Sequence, residues 1–453
     1  MKEQFALNRR SFFKTSAIGV LGTISLPAFV GGCSVPSSKS GKLKNVEVLE
    51  ILPTAPDGKP LKAGLVGCGG RGTGAACDFI GAGKDLEITA IGDIFKDKLD
   101  TCREILKEKG QQITDENCFL GFDAYQKVID SGVDVVLLCT PPVFRPSHFE
   151  YAISKGKHCF IEKPCAVDPV GAKHILVEGK RAAQQNLSVI SGTVRRSQKD
   201  LVETYRRVAG GAIGDIVSAH VSRMGGALWF VERQPGWSDM EYMMRNWINF
   251  NWTSGDLVVE QFIHEIDLMS WFLGGIRPIR AEATGGRQRR VTGDLYDFFS
   301  IEYIYDENNR LRTHCTSREI GGCDNQNIVM IYGTKGYVNC YEGKIYNLDG
   351  TVAWQYSYPN PDDEDRELSD AYLQEHIRLV TAIRINKPVN DVEQHVQSTL
   401  MAMMGRESAY TGKFVTWDQI IASDQKLGPD TYQFGPVPGI TEEIPLAGRP
   451  ARS

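Results

Sequence analysis

What the 453-residue sequence lacks narrows it first. No interior apolar run is long enough to cross a bilayer. No basic block and no lysine stripe interleaved with aromatics marks a nucleic-acid surface, and the net charge of −5 is close to balance. The eleven cysteines are scattered, with neither a C-x-x-C pair nor a Cys/His cluster at zinc spacing. No metal site and no disulfide scaffold is therefore expected, and most of these thiols read as small apolar fillers. Internal repeats and low-complexity core segments are absent too. The length exceeds one typical domain and predicts two substantial cores.

What is present begins with an address. Asn8-Arg9-Arg10-Ser11-Phe12-Phe13-Lys14 precedes an apolar segment from about Ala17 to Val30, the twin-arginine arrangement. Residues 1–35 are accordingly set aside as a signal, with 36–60 as a tether. Val30-Gly31-Gly32-Cys33 resembles a bacterial lipobox, which makes Cys33 a candidate lipidated N-terminus; the alternative is an ordinary cleavage site with an incidental cysteine. The expectation is export to the periplasm or cell envelope, with membrane contact only through the signal or a lipid anchor. Folding before export also suits a chain that keeps many cysteines in an oxidising space.

The organising stretch runs from Leu61 to Asp93, where a buried-strand pattern turns into a glycine-rich bend and then a helix beginning near Thr73. Gly67, Gly69 and Gly72 stand at G-x-G-x-x-G spacing. In that motif the first glycine permits the tight turn, the second lets backbone approach a pyrophosphate, and the third lets helix pack on strand, with helix N–H groups facing the phosphates. Gly70 and Arg71 lie inside the loop and count with them as cofactor-binding candidates. A second apolar strand, Leu86 to Ile91, leads to Asp93, about 20 residues past the last glycine, where a carboxylate accepts ribose hydroxyls. That acid favours NAD over NADP, because a 2′-phosphate would meet like charge; Lys96 and Lys98 moderate the preference.

Strand and helix patterns then alternate to about Gly192. The run Val133 to Thr140 reads as a strand covered on both faces and ends in Thr140-Pro141-Pro142, with His148 opening a helix. Lys157 to Ile161 forms the next strand and ends in Glu162-Lys163-Pro164. A helix from Val170 to Gln185 and a strand from Leu187 to Ser191 complete a six-stranded doubly wound pattern over 61–195. Ligands bind such sheets outside the carboxyl ends of the strands, where Thr140, Lys163 and Gly192 fall.

The glycine loop, Asp93, Thr140-Pro141-Pro142 with His148, and Glu162-Lys163-Pro164 together resemble the Gfo/Idh/MocA family of sugar and polyol oxidoreductases, from Lys62 to about Ile421. The resemblance implies that Lys163 reaches the substrate hydroxyl and the nicotinamide, with Glu162 and Pro164 shaping the turn. It adds Thr140, Pro141, His148, Glu162 and Lys163 itself to the cofactor-binding candidates.

A second domain is expected over 196–430. After Arg195-Arg196 and a helix to about Ala209, Gly214 to Val221 reads as its first strand. The aromatic, turn-rich stretch Trp229–Trp252 suits a carbohydrate pocket, where ring faces stack on sugar faces and amides bond hydroxyls; Trp247, Asn249 and Arg195 are its substrate-binding candidates. Ordinary loop packing is the competing account of Trp247 and Asn249. In Ser254–Leu268, Glu260 and His264 stand four apart, so on a helix they share a face and can hydrogen-bond, and a histidine supplies the general base that carbinol oxidation needs. The family pair is an aspartate four residues before a histidine, and its roles carry onto Glu260 and His264, with glutamate as a departure. Asp267 reads as structural.

Segments at Ala281–Arg287, Tyr296–Tyr305, Leu311–Arg318, Gln326–Tyr332 and Gly336–Asn339 predict an open, largely antiparallel sheet, with Gly333-Thr334-Lys335-Gly336 as a hairpin turn. The fold class is thus α/β plus α+β: an N-terminal Rossmann doubly wound sheet, then an antiparallel sheet domain whose far face, by the resemblance, makes a homodimer or homotetramer. A helix near 374–385 is expected to return to the cofactor domain and bring His376 toward the active site; residues 431–453 read as a tail.

Three functions follow as expectations. The first is an NAD-dependent oxidoreductase of a sugar or glycoside carbinol whose cofactor, exported inside the protein to a space without free NAD, is recycled in place. The second is an NAD-dependent glycosidase working by transient oxidation, elimination, hydration and reduction. The third, of another class, is a non-catalytic carbohydrate-binding lipoprotein.

Overall fold

The computed structural model describes residues 50–308, 310–358, 364–439 and 443–448, the stretch 364–369 by its backbone alone. The twin-arginine segment, Cys33 and the tether up to residue 49 lie outside the described residues.

Six strands form the first sheet: β1 (Leu61–Val66), β2 (Leu86–Asp93), β3 (Cys118–Leu120), β4 (Val135–Leu138), β5 (His158–Ile161) and β6 (Val189–Ser191). They run parallel in the order β3-β2-β1-β4-β5-β6, the dinucleotide-binding order that reverses between β1 and β4. The connecting helices are α1 (Gly70–Gly81), α2 (Lys96–Glu108), α3 (Ala124–Asp130), α4 (Arg145–Ser154) and α5 (Pro169–Gln184). Central β4 is buried at every position, as its unbroken apolar run predicts. α1 starts at Gly70, one turn earlier than expected, because the loop glycines continue directly into helical backbone. α4 starts at Arg145, so His148 sits inside its first turn. Pro169 opens α5, and the Asp168 carboxylate caps it by accepting from Gly171 N–H at 2.7 Å.

The second sheet has nine strands: β7 (Ile216–Gly225), β8 (Arg280–Gly286), β9 (Phe298–Ile304), β10 (Arg312–Glu319), β11 (Gln326–Gly333), β12 (Gly336–Asn339), β13 (Lys344–Asn347), β14 (Val352–Gln355) and β15 (Val415–Thr416). Their order is β14-β13-β12-β11-β7-β10-β9-β8-β15. β7 pairs parallel with β10 and antiparallel with β11; the remaining neighbours are antiparallel. The outer strands β13 and β14 extend the sheet beyond the segments legible in the sequence.

Helices α6 (Lys199–Ala209), α7 (Asp239–Arg245), α8 (Asn251–Ser254), α9 (Leu257–Glu260), α10 (Ile263–Phe272), α11 (Glu364–Arg384), α12 (Val392–Thr411) and α13 (Trp417–Ala422) complete the structure. α12 is the spine between the domains: its Arg406 is fully buried and donates to the Val167 and Gly255 carbonyls. α11 does return to the first domain, where Gln374 Nε2 donates to Leu52 O at 2.6 Å and Arg384 Nη1 to Pro56 O at 2.8 Å, so the described end of the expected tether, 50–60, is packed ahead of β1.

The described part of the segment expected to be a tail, 431–439 and 443–448, packs instead. Met240 N–H donates to Gly435 O at 3.0 Å, and the Tyr296 hydroxyl donates to Pro445 O at 2.8 Å. Tyr432 stacks against Phe122 and Trp252 and meets Phe144 edge-on, and Phe434 packs tilted against Phe95 and Phe122. Buried Val437 joins this cluster. Aromatic area removed from water is what holds an otherwise irregular stretch in place.

Candidate active site

The glycine bend is built by contacts that leave no room for side chains. Gly67 has φ +95°, and a Cβ there would lie 2.7 Å from Thr140 N; a Cβ on Gly72 would lie 1.8 Å from Gly67 O. Above the bend, by contrast, the Cβ positions of Gly69 and Gly70 meet nothing within 4 Å. α1 begins there without a side-chain cap, so its first N–H groups are left for an anion. Asp93 ties the bend to β2: its Oδ2 accepts from Cys68 N–H at 2.7 Å and its Oδ1 from Phe95 N–H at 2.9 Å. Each oxygen keeps a lone pair for a ribose hydroxyl. An open glycine cradle, uncapped helix N–H groups and an acid at the end of β2 fit the pyrophosphate and ribose of a dinucleotide.

At the end of β4, Thr140 Oγ1 lies 3.4 Å from His148 Nδ1. The His148 ring stacks on Tyr125 at 4.0 Å, and burial pushes it down to about 3, so it is a neutral spacer behind Thr140 and Pro141. At the end of β5, Glu162 is buried and accepts from Arg71 Nε at 2.5 Å and from Lys163 N–H at 3.0 Å. Burial works against its ionisation, but Arg71, Arg145 and Lys163 outweigh it and hold the carboxyl below the usual range. Arg71, expected to reach the cofactor, turns its guanidinium toward Glu162 and over the Tyr372 ring at 4.4 Å, locking glycine bend to β5 terminus.

Lys163 reaches across to the second domain. Its Nζ donates to Glu260 Oε1 at 2.8 Å and to Glu260 O at 2.5 Å. Lys163, Thr193, Arg195, Ile263, His264 and Asp267 line one narrow cavity between the two domains, closed down by these side chains. Arg195 also donates to Gln198 Oε1 at 2.9 Å and stands over the Tyr341 ring at 4.9 Å. Burial, reinforced by Lys163, Arg223 and Arg195, holds the His264 imidazole well below its ordinary range and therefore neutral. Asp267, read as structural, pairs with Arg196 through both oxygens at 2.9 Å.

Four expectations are corrected. Glu260 does not hydrogen-bond His264: the helix is interrupted between α9 and α10, Gln261 lying at φ −100° and ψ −51°, so the four-residue spacing no longer sets one face. The carboxylate goes to Lys163 and to Gln261 Nε2 instead. His376 does not approach the cavity. It is fully buried on the face of α11 that packs into the first domain, with Phe160 at 4.5 Å and Phe79 at 6.3 Å, and neither ring nitrogen has a hydrogen-bond partner among the described residues. Asn249 is a loop brace: its Nδ2 donates to Trp229 O at 3.1 Å and its Oδ1 accepts from Arg290 at 3.0 Å. Trp247 packs edge-on against Trp229 at 6.4 Å and is not among the residues lining the cavity.

Gln261, Arg223, Glu265 and Tyr341 are functional candidates that sequence reasoning missed. Gln261 and Glu265 stand four apart in the stretch that carries His264, but Arg223 on β7 and Tyr341 after β12 are distant in sequence, so no local spacing brings the four together.

Fold and site together define a two-domain, dinucleotide-binding protein in which a lysine from the Rossmann domain and a histidine from the sheet domain face one cavity. The family model described as "Oxidoreductase family, NAD-binding Rossmann fold" matches residues 61–191, and that described as "GFO/IDH/MocA C-terminal domain" matches residues 202–339. The chain belongs to the Gfo/Idh/MocA family, and its first domain is an NAD-binding Rossmann domain. It is similar to the inositol 2-dehydrogenase of Acidothermus cellulolyticus, 24% identical over 240 residues, covering 53% of this chain and 61% of the relative. With the inositol 2-dehydrogenase of Cereibacter sphaeroides the figures are 27% over 216 residues, 47% and 54%. The chain thus spans little more than half the length of these curated relatives. Among solved structures, the fold is similar to scyllo-inositol dehydrogenase from Lactobacillus casei with bound NAD(H) and scyllo-inositol, at TM-score 0.60 and 21% identity, covering 81% of this chain and 100% of that one. It is likewise similar to the WlbA dehydrogenase from Bordetella pertussis in complex with NADH and UDP-GlcNAcA, at TM-score 0.61 and 19% identity, covering 79% and 98%.

Proposed function

We propose that this protein is an exported oxidoreductase that oxidises a carbinol of a sugar or glycoside with an NAD it retains through repeated turnovers. The observation that carries the reading is the convergence of Lys163 and His264 on one cavity. The neutral His264 imidazole accepts the hydroxyl proton, and the Lys163 ammonium, held by Glu260, stabilises the developing alkoxide. Bound nicotinamide supplies the hydride acceptor. Sugar-like substrates are supported by the relatives, which are named as inositol dehydrogenases.

Retention is supported by the C-terminal strap. Tyr432 and Phe434 pack on Phe95, Phe122 and Phe144, which follow β2, β3 and β4, so the strap crosses the rim where an α/β sheet binds its ligand. Export and anchoring at Cys33 rest on the twin-arginine and lipobox sequences. Assembly through the second sheet is supported by a row of aromatics, Tyr332 to Tyr337 at 5.9 Å and Tyr337 to Tyr346 at 4.9 Å.

A second reading, hydrolysis of a glycoside through transient oxidation, elimination, hydration and reduction, is favoured by one feature. Glu319, at the end of β10, lies with Oε1 3.9 Å from Arg223 Nε, and burial pushes it up to about 7, the range that suits a general acid.

The test uses the purified exported protein with no added NAD. Denaturation releases and identifies the nucleotide; free sugars, sugar pairs and aryl glycosides are then scored for change in nicotinamide absorbance and for aglycone release. Absorbance change without aglycone release gives the oxidoreductase, both together give the glycosidase, and a bound nucleotide that no sugar alters sinks the enzymatic reading in favour of a carbohydrate-binding lipoprotein.

A further inference from the structure

The Lys163–Glu260 pair is the end of a longer chain of side chains. Gln261 Nε2 donates to Glu260 Oε2. Gln261 Oε1 accepts from Arg223 Nη2 at 2.9 Å, and Arg223 Nη1 donates to Glu265 Oε1 at 3.1 Å. Tyr341 closes the far end by donating to the same Glu265 oxygen at 2.6 Å. Glu265 is fully buried, and Arg223 Nε lies 3.9 Å from Glu319 Oε1. The chain runs without a gap from the terminus of β5 to β7 in the middle of the second sheet.

We propose that Arg223 is a positioning residue of the active site: it fixes the Gln261 amide, the amide fixes Glu260, and Glu260 holds Lys163. This rests on the oxidoreductase reading of that site.

The physical reason lies in the amide. Its two ends differ only in which donates and which accepts, so its neighbours set its orientation. A guanidinium has donors only, and therefore the end facing Arg223 is the oxygen. The NH2 end is left for Glu260. A turned amide would set carbonyl against carboxylate and NH2 against guanidinium, two repulsive contacts in a partly buried place. The Gln261 backbone is held by its N–H bond to Leu257 O at 2.9 Å, but that bond does not fix which way the side-chain amide is turned, so Arg223 supplies the constraint. The planar fork is needed as well as the charge, because Nη1 and Nη2 serve Glu265 and Gln261 at once, and one ammonium has no such fixed geometry.

Arg223 has a second effect on His264. His264 N–H donates to the carbonyl of Gln261 at 3.4 Å, the same residue whose amide Arg223 holds; Lys163 and Arg195 line its cavity, Asp267 there is paired with Arg196, and Arg223 and Arg71 add positive charge from further away. Arg223 is one of the cations that oppose protonation of the ring, so its removal lets His264 protonate at higher pH.

The experiment compares Arg223→Gln and Arg223→Lys with the wild type as full-length, nucleotide-loaded protein. Three readings are taken: nucleotide content, the pH profiles of kcat and kcat/KM for the sugar found active, and the NMR titration of His264, assigned by its loss in His264→Gln. Arg223→Gln is expected to keep its nucleotide, to lose turnover on the order of tenfold to a hundredfold with KM little changed, and to move the His264 titration and the acid limb of the profile to higher pH. Arg223→Lys, which keeps the charge and loses the fork, is expected to leave the titration near its wild-type position and still lose turnover. A Gln variant with wild-type turnover and titration overturns the proposal, as does a Lys variant with full activity. If no sugar is turned over by the wild type, the oxidoreductase reading fails by itself, and the titration still decides whether Arg223 acts on His264.

Discussion

Lys163 and Glu260 belong to different domains, and their side chains meet as an ion pair at 2.8 Å in which the same ammonium also holds the Glu260 carbonyl at 2.5 Å. Both side chains are close to fully buried, with 11% and 7% of their surface exposed. Removing one partner leaves the other charge buried without its counterion, which is more damaging than loss of the pair as a unit.

Lys163→Ala is therefore expected to cost roughly a hundredfold or more in turnover while nucleotide stays bound, since Lys163 is asked to stabilise charge in the transition state and not to hold the cofactor. Steady-state turnover beside nucleotide content checks this. Equal loss of both would make Lys163 a cofactor-retaining residue.

Gly72→Ala is expected to destabilise the first domain by about 2 kcal/mol or more and to empty it of nucleotide, because the new methyl group falls 1.8 Å from Gly67 O, a backbone atom with no freedom to move aside. Thermal unfolding and released nucleotide measure it. Gly70→Ala, whose Cβ meets nothing within 4 Å, is the control expected to fold like the wild type.

His376 sits neutral among Phe160 and Phe79, burial holding it well below the ordinary value of 6.5. Below pH 6.5 the unfolded chain binds a proton there that the folded protein does not, so folded stability falls as pH falls through that window. His376→Leu removes this linkage along with two unpartnered ring nitrogens. The Leu variant is expected to exceed the wild type in melting temperature, by a margin that widens from pH 7 to pH 5. A constant or reversed margin would show that the imidazole has a partner in the folded state.

The strap predicts a change in retention without a change in chemistry. Replacing Tyr432 and Phe434 by alanine removes the contacts to Phe95, Phe122 and Phe144. The double variant is expected to lose nucleotide during gel filtration and to recover wild-type turnover when NAD is added back. Nucleotide retained at the wild-type level would assign the strap to fold stability alone.

Much of this was legible before folding was considered. The first sheet follows from strand-length apolar runs separated by helix-length periodic segments, and the glycine bend from spacing, because these features are local. The strands β3, β13 and β14 were not: they are as short as β4 and β6 but lie mostly exposed or half-buried, so they carry neither an unbroken apolar run nor a clean alternation. The strap was missed for the opposite reason: its aromatics are spaced irregularly and become a unit only against Phe122 and Phe144 on another domain.

The sequence by itself determined that a dinucleotide bend, an acid at the end of the second strand and the tripeptide around Lys163 occur in one doubly wound unit, because backbone sterics and strand period act over a few residues. Only the tertiary structure decided what Lys163 meets. The interruption after Glu260 turned its carboxylate from His264 to the lysine, and burial sent His376 into an aromatic core. Those outcomes depend on which surfaces two sheets press together, and the neighbours so made, Arg223 beside Gln261 and Tyr341 beside Glu265, are far apart in the chain.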